Sequence, residues 1–546
     1  MSFMSFLHWL WSRLGQMDSL SWYSFVSGCL IALWLLLYNI YRAVHALASG
    51  CLRISFFLKH FVYPLLFPRT RFVGTATRLG AGTVLVYLLA NIFLVLIGTR
   101  ANIGKRAATM SVINVIPLLC GPRLSLVAEL LGISRRNSIW SHQWLGRTVI
   151  AQVLLHTITS LTGSSAFAWT APNLFGAVVR TCTPSQTGLL ADILCKASSA
   201  FGFIFLISVG FVRHAIYEWF LNSHTLLSAV VVVAAWRHVP SKTPAWFFLR
   251  IGMGLWAGAT GIHWLIFAFR NLALGRPLAT VVAAKFSDAS DHALVGPSNV
   301  LRVDIAIHRP WWRVKAGQSI FLSIPSLGLF TGVRGHPFVI SWWERDERGL
   351  RLSILVQSRA GFTAALSRRT HTVLRAFVDG PYGAPHSFGE YGTVVMLASG
   401  IGIAGHMPYI KDLIRGYNSC EVRTRRILVV WEMEDLGQVQ WVESWMNEAL
   451  DNDTGYGEDV PYGNHGRITK KHGPPDVVGV LEKEFQDRTG KVIVSLCAAH
   501  GIRDTARMHM QRRMEKRLRL VELDFQPPLE ETGRRGSAGM DIMCRG

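Results

Sequence analysis

The sequence predicts a multi-domain α + β chain: a seven-helix transmembrane bundle, then an antiparallel β-barrel, then a Rossmann-like α/β domain. Three observations predict it. Half of the 546 residues are hydrophobic and only 16% are charged, well below the quarter usual in soluble domains. The apolar residues concentrate before about residue 270, in long uncharged runs. After about residue 275 the pattern changes to short alternating strands, and then to strands separated by helical stretches.

Seven runs approach the roughly 20 residues that a helix needs to cross a bilayer. They are about 22–40, 81–98, 107–128, 142–162, 200–217, 224–239 and 245–269. Seven spans with a cytosolic soluble half put the N-terminus outside. The loop 41–80 then lies inside, with Arg42, Arg53, Lys59, Arg69, Arg71 and Arg78 and no acid, as the positive-inside rule requires. That rule also accounts for the formal net charge of +22. The basic residues form no stripe with interleaved aromatics, so nucleic acid is excluded as a partner; the lipid bilayer is the expected one. The opening "MSFMSFLHWLWSRLG" lacks a basic n-region and a small-residue cleavage site, and so does not read as a signal peptide. None of the eight cysteines forms a CxxC pair, which argues against zinc. Cys182 and Cys195 share one loop, open to a disulfide in an oxidising compartment.

Ionisable side chains inside spans are rare and tend to be functional. "HQWLGRTVIAQVLLH" runs from His142 to His156, and "HTLLSAVVVVAAWRH" from His224 to His238. Each step is 14 residues, or close to four turns, so both histidines of a span share a face about 21 Å apart along the axis. The two spans run in the same direction. Side by side they set His142 level with His224, and His156 level with His238. Imidazole is a good iron ligand, and two facing imidazoles can hold a haem from both sides. Two such haems would form an electron path through the apolar layer. His45, His60, His214 and His263 have no matched partner and read as interfacial or packing residues.

In the soluble half, "NVLRVDIAIHRPWWRVKAGQSIFLSIP", "GLRLSILVQS" and "VLRAFVDGPYG" read as barrel strands to about residue 385. Then "TVVMLASGIGIAGHMPYIKDL" reads as strand, glycine turn and helix. Gly400, Gly402 and Gly405 form a GxGxxG in the context that a dinucleotide pyrophosphate requires. An acidic ribose ligand about 20 residues on is not evident; Arg423, Arg425 and Arg426 lie there instead, and read first as a solvated strand edge and second as able to meet a 2′-phosphate. "VIVSLCAAHG" puts Cys497 at a strand end. Residues 451–476 read as an exposed insertion, and the tail after Pro528 as flexible.

"HQWLGR" with a histidine 14 residues on, and "YEWFLNSH" with another 14 on, resemble the ferric reductase transmembrane family, which includes fungal ferric- and cupric-chelate reductases and the NADPH oxidases. The resemblance implies two b-type haems on His142, His156, His224 and His238. The equal steps and the additional first span lean towards the metalloreductases. "GHPFVISWW" resembles the family's FAD-holding HPFT motif, with His336, Pro337, Phe338 and Val339; valine replaces threonine, which removes a hydroxyl from the flavin's surroundings. "SRAGFTAAL" is similar to the phosphate-cradling turn, implying roles for Gly361, Phe362 and Thr363, with Arg359 adding charge. "DGPYG" is similar to the turn closing the flavin domain. The glycine turn, with Ile403, then implies NADPH. Cys497 stands where the family has Cys-Gly-Pro beside the nicotinamide, but Ala498 and Ala499 replace Gly-Pro. "VELDFQP" resembles the terminal strand that sets an aromatic, here Phe525, near the flavin.

The expected organisation is an N-terminal segment and loop (1–80), a haem domain (81–275), an FAD barrel (276–388), an NADPH domain (389–527) and a flexible tail (528–546). The expected activity carries electrons from cytosolic NADPH through FAD and two haems to a ferric or cupric chelate. The plasma membrane is the first expectation and a vacuolar or other internal membrane the second, with an iron or copper transporter as a possible downstream partner. Two alternatives stay open. One is an oxidase that reduces oxygen to superoxide, although no EF-hand DxDxDG loop is present. The other is a non-catalytic haem-binding paralogue in which Val339 and Ala498/Ala499 disable reduction.

Overall fold

The computed structural model describes residues 60, 64–67, 76–97, 99, 102–119, 135–162, 203–204, 206–208, 217–241, 243–273, 276–277, 279–285, 299–308, 313–328, 332, 334–347, 349–359, 361–383, 385–453, 468–513, 517–523, 525 and 540–545. The expected first span and the Cys182/Cys195 loop lie outside these residues, as do most of the fifth span and most of the 451–476 insertion. Contacts divide the chain into two compact units, one holding Gly80–His263 and the other Trp264–Gly546.

In the first unit the helices are α1 (Arg78–Leu96), α2 (Ile103–Leu119), α3 (Arg135–Thr162), α4 (Tyr217–His238) and most of α5 (Pro244–Asn271). Among the described residues three helices are long and apolar enough to span a membrane: Arg78–Leu96, Trp219–His238 and Pro244–Asn271. The first expected span and most of the fifth lie outside the described residues, so seven spans stay an expectation. Two described helices, α2 and α3, fall short of that length or composition. α2 has 17 residues and carries Lys105 and Arg106; α3 carries Arg135, Arg136 and Arg147 with its histidines. By contrast, α1 presents Leu85, Val86, Leu89 and Phe93 outward, as a surface solvated by lipid does.

Polar side chains join the helices inside this unit. Asn114 donates to Asn91 at 2.7 Å and to Gln152 at 3.0 Å, and Gln152 donates to Asn91 at 2.9 Å. All three are buried. Away from water such amides must satisfy one another, so α1, α2 and α3 are fixed in register. Arg106 Nε donates to the Val95 carbonyl at 2.9 Å, capping the last turn of α1.

The second unit begins with a seven-stranded antiparallel sheet. Its strands are β1 (Ala279–Lys285), β2 (Val300–Ile307), β3 (Ser319–Ser323), β4 (His336–Val339), β5 (Trp342–Asp346), β6 (Gly349–Gln357) and β7 (Val373–Tyr382). They lie in the order β4-β3-β7-β1-β2-β6-β5. Alternation drives it: Leu301, Val303, Ile305 and Ile307 of β2 turn inward against Ile320, Leu322, Leu352 and Ile354. The short helix α6 (Phe362–Ser367) closes one end. Asn271, the last residue of α5, donates to the Val378 carbonyl at 2.9 Å and accepts from Val378 N at 2.6 Å.

A six-stranded sheet follows. Its elements are β8 (Thr393–Ser399), α7 (Met407–Asn418), β9 (Arg426–Met433), α8 (Glu443–Asp451), β10 (Ile468–His472), α9 (Val477–Gln486), β11 (Val492–Cys497), α10 (His500–Arg512), β12 (Leu518–Glu522) and β13 (Met540–Arg545). The order is β10-β13-β9-β8-β11-β12. β8, β9, β11 and β12 run parallel, while β13 is antiparallel to β9 and to β10. The expected flexible tail is thus corrected in part, since 540–545 add a strand. Near-continuous burial of β8 and β11 explains their apolar runs, because parallel sheets are covered on both faces. The two sheets share a core: Trp342 stacks on Trp445 at 5.9 Å, and Lys411 Nζ lies 4.0 Å above Trp342.

Candidate functional site

The sequence-matched histidines come together as expected. His142 of α3 and His224 of α4 have ring centres 6.1 Å apart, and His156 and His238 are 6.2 Å apart. A metal bonded at about 2 Å to one nitrogen of each ring, with ring centres about 1.2 Å behind those nitrogens, needs centres roughly 6.4 Å apart. Each pair therefore fits one metal atom. No group of three or more His, Cys, Asp or Glu suited to a metal occurs among the described residues. Two imidazoles alone suit an iron whose other four positions come from a macrocycle, so the donor set fits haem. The pairs differ in their surroundings. His142 Nδ1 is buried without a hydrogen-bond partner, whereas His156 Nδ1 lies 3.1 Å from the Gly104 carbonyl. With the proton on Nδ1 donated to that carbonyl, Nε2 is left with its lone pair free to bind a metal. Gly104 has no Cβ for a reason: one would sit 2.1 Å from Thr159 Oγ1.

The flavin candidates gather at one edge of the antiparallel sheet. The His336 ring stacks on Phe362 at 4.2 Å and 19°. Phe338 and Val339 point into the core, and Val339 packs with the α/β sheet's residues. Val339 is therefore a packing residue at the seam. Pro337 is half-buried between His336 and Phe338. Arg359 N donates to Thr363 Oγ1 at 2.9 Å and its guanidinium donates to Gln357 at 3.2 Å. Gly361 has φ 63°, a left-handed conformation that favours glycine, and it opens α6. Ser341 is buried, and its hydroxyl accepts from Leu355 N at 3.4 Å.

The nicotinamide candidates meet at the carboxyl ends of β8 and β11. The turn Gly400–Gly405 follows β8 directly. A Cβ on Gly402 would lie 2.0 Å from the Cys497 carbonyl oxygen; one on Gly405 would lie 3.1 Å from Cys497 Sγ and 3.6 Å from Phe525. Glycine is what lets the turn close onto Cys497, and Gly405, Cys497 and Phe525 are thereby brought together. Ile403 and Ala498 are fully buried core residues. Ala499 takes φ −57° and ψ 160° before α10, so the chain turns there without a glycine. His406, the next residue after the glycine turn, is completely buried and neither ring nitrogen has a partner. Burial pushes its pKa down to about 3.

Three bracing residues carry no signal in the sequence. Trp431 Nε1 donates to the Gly400 carbonyl at 2.9 Å, Ser399 Oγ donates to Glu432 at 2.8 Å, and Ala499 N donates to Ser399 Oγ at 3.0 Å. Each depends on strand pairing between residues 30 to 100 positions apart. The three arginines lie at the strand edge, the first of the two readings open to them. Arg426 begins β9, at the sheet edge opposite the glycine turn, where it forms a two-point ion pair with buried Glu484 at 2.6 and 2.8 Å. Arg425 donates to the Val422 and Thr424 carbonyls and lies over Tyr417; Arg423 precedes both in the same connection. An offset of 20 residues falls short here because the connection after α7 delays the strand.

The fold and site define an integral membrane protein with a flavin-type antiparallel sheet and a nicotinamide-type α/β sheet. Residues 107–235 match the family model "Ferric reductase like transmembrane component", 288–386 match "FAD-binding domain", and 391–465 match "Ferric reductase NAD binding domain". The three matches lie in the order membrane segment, flavin segment and nucleotide segment, each similar to a ferric reductase component or an FAD-binding domain. It is 25% identical over 301 residues to ferric/cupric reductase transmembrane component 2 of Saccharomyces cerevisiae, covering 54% of this chain and 38% of that one. It is 22% identical over 562 residues to ferric reductase transmembrane component 5 of the same yeast, covering 91% and 76%. A ferredoxin-NADP+ reductase from Plasmodium falciparum aligns over 46% of this chain and 99% of its own at 12% identity, with a TM-score of 0.30. The chain spans about two fifths of the length of the first of these yeast relatives.

Proposed function

We propose that this protein is a transmembrane metalloreductase that passes electrons from a cytosolic nicotinamide nucleotide to a ferric or cupric chelate across the plasma membrane. The observation that carries the reading is the pair of histidine pairs, each at one-metal spacing and both on the same two helices. His142 and His224 would hold the inner haem, and His156 and His238 the outer one. Bound flavin supplies the change from a two-electron donor to single electrons, and bound haems supply the path across the apolar layer. The chain's own residues do the positioning. Gly400 leaves room for pyrophosphate beside the backbone, Gly402 lets the turn close onto Cys497, and Cys497 and Phe525 shape the place where nicotinamide and flavin would meet. His336 and Phe362 wall the flavin edge, and Arg359 adds positive charge beside the turn at Gly361. The Gly104 carbonyl fixes the tautomer of His156.

The test is an acceptor panel on protein reconstituted into vesicles, with nucleotide outside and acceptor trapped inside. Reduction of ferric or cupric chelate that superoxide dismutase does not affect supports the reading. Dismutase-sensitive dye reduction in its place assigns an oxidase. Haem without any flavin reduction assigns a non-catalytic protein.

A further inference from the structure

We infer that the nucleotide site discriminates in favour of NADH against NADPH, with Glu434 and Asp435 as the specificity residues; this rests on the nicotinamide reading of the glycine turn. In an open α/β sheet, the dinucleotide crosses the carboxyl ends of the strands, its pyrophosphate at the glycine turn and its adenosine ribose at the end of the neighbouring strand. The neighbour of β8 on that side is β9, parallel and in register, with Ser399 opposite Glu432. The ribose end of the site is therefore the segment that leaves β9, Glu432-Met433-Glu434-Asp435.

Three observations make that end acidic and empty of bases. Glu432 is tied to the turn through Ser399, which sets the direction in which the chain leaves the strand. Glu434 follows it and is exposed. Asp435 precedes the next helical turn, and its carboxylate makes no capping bond there. No lysine or arginine occurs from residue 427 to 466. The bases that could have served are elsewhere. Arg426 is spent on Glu484 at the opposite edge, and Arg503, beyond β11, donates to the Ala498 carbonyl at 2.9 Å. Lys470 and Lys471 lie on β10, two strands from β9. Space above the turn is open: a Cβ on Gly400 would meet nothing within 4 Å.

A carboxylate accepts hydrogen bonds from the ribose 2′- and 3′-hydroxyls. The same carboxylate repels a 2′-phosphate, which brings further negative charge to the same place. The site thus both rewards the hydroxyl and penalises the phosphate.

The test is anaerobic bleaching of the flavin in detergent-purified full-length protein, with NADH and NADPH each titrated. The expected kcat/KM for NADH exceeds that for NADPH by at least about tenfold. The double variant Glu434→Arg/Asp435→Asn is expected to invert the preference, with kcat/KM for NADH falling and that for NADPH rising. As a measurement independent of turnover, 5′-AMP should bind the wild-type protein more tightly than 2′-phospho-AMP, and the variant should reverse that order. Preference of the wild-type protein for NADPH, or a variant with unchanged preference, overturns the inference and leaves the reductase reading standing. Failure of both nucleotides to bleach the flavin overturns the nicotinamide reading and this inference with it.

Discussion

Replacing Gly402 with alanine probes the contact on which the nicotinamide site is built. The added Cβ would lie 2.0 Å from the carbonyl oxygen of Cys497, where ordinary contact needs about 3.5 Å. Both partners are backbone-held, so no side chain can swing aside, and the turn and the end of β11 must separate by more than about 1 Å. A misplacement of that size near reacting atoms costs on the order of 100-fold in rate. Stopped-flow anaerobic reduction of the flavin should therefore slow about 100-fold, chiefly in kcat, with flavin and haem content retained. Gly400→Ala is the control. Its Cβ meets nothing within 4 Å, but φ is 49°, so the cost is roughly 1–2 kcal/mol of backbone strain, and its effect should fall on KM. A Gly402→Ala protein that reduces flavin at the wild-type rate refutes the argued closure of the turn onto Cys497.

Further outcomes follow from the rest of the molecule. His224→Ala and His238→Ala should each remove about half the haem absorbance of purified protein; unchanged haem in His238→Ala would sink the ligand assignment. Arg426→Ala leaves Glu484, 1% exposed, as a buried carboxylate without its partner, at a cost of about 3 kcal/mol; an unaltered thermal unfolding midpoint would contradict this. His406 gives a pH dependence. Its folded pKa, about 3, lies below the ordinary 6.5, so the unfolded chain binds the proton more readily. Its contribution is fully present above pH 6.5 and is lost as pH falls from 6.5 towards 3, with a slope of about 1.4 kcal/mol per unit. His406→Phe should flatten the acid limb of a stability–pH curve, and an unchanged limb would show that other groups produce it.

The paired histidines of the membrane helices were legible because a helix has a fixed period. Fourteen residues return a side chain to nearly the same face, so matched spacing in two spans implies matched levels, and the ring separations agree with that. The glycine turn, Cys497 and the flavin strand were legible because each is a local motif on a strand end. The number of spans was less so, since hydropathy identifies uniformly apolar helices, and α2 and α3 carry charged residues among their apolar ones.

The sequence by itself determined which segments are apolar, which alternate, and which short motifs they carry, since these follow from residue order and backbone period alone. Only the tertiary structure decided what stands beside what. It set Arg423, Arg425 and Arg426 at the end of the sheet away from the glycine turn and Glu434 and Asp435 at the end beside it. It turned Val339 into a seam residue, and it joined Asn91, Asn114 and Gln152 across three helices. The physical reason is the same in each case: a sheet edge, a core and a buried hydrogen bond are all made by residues far apart in the chain. No local pattern records which partners they meet.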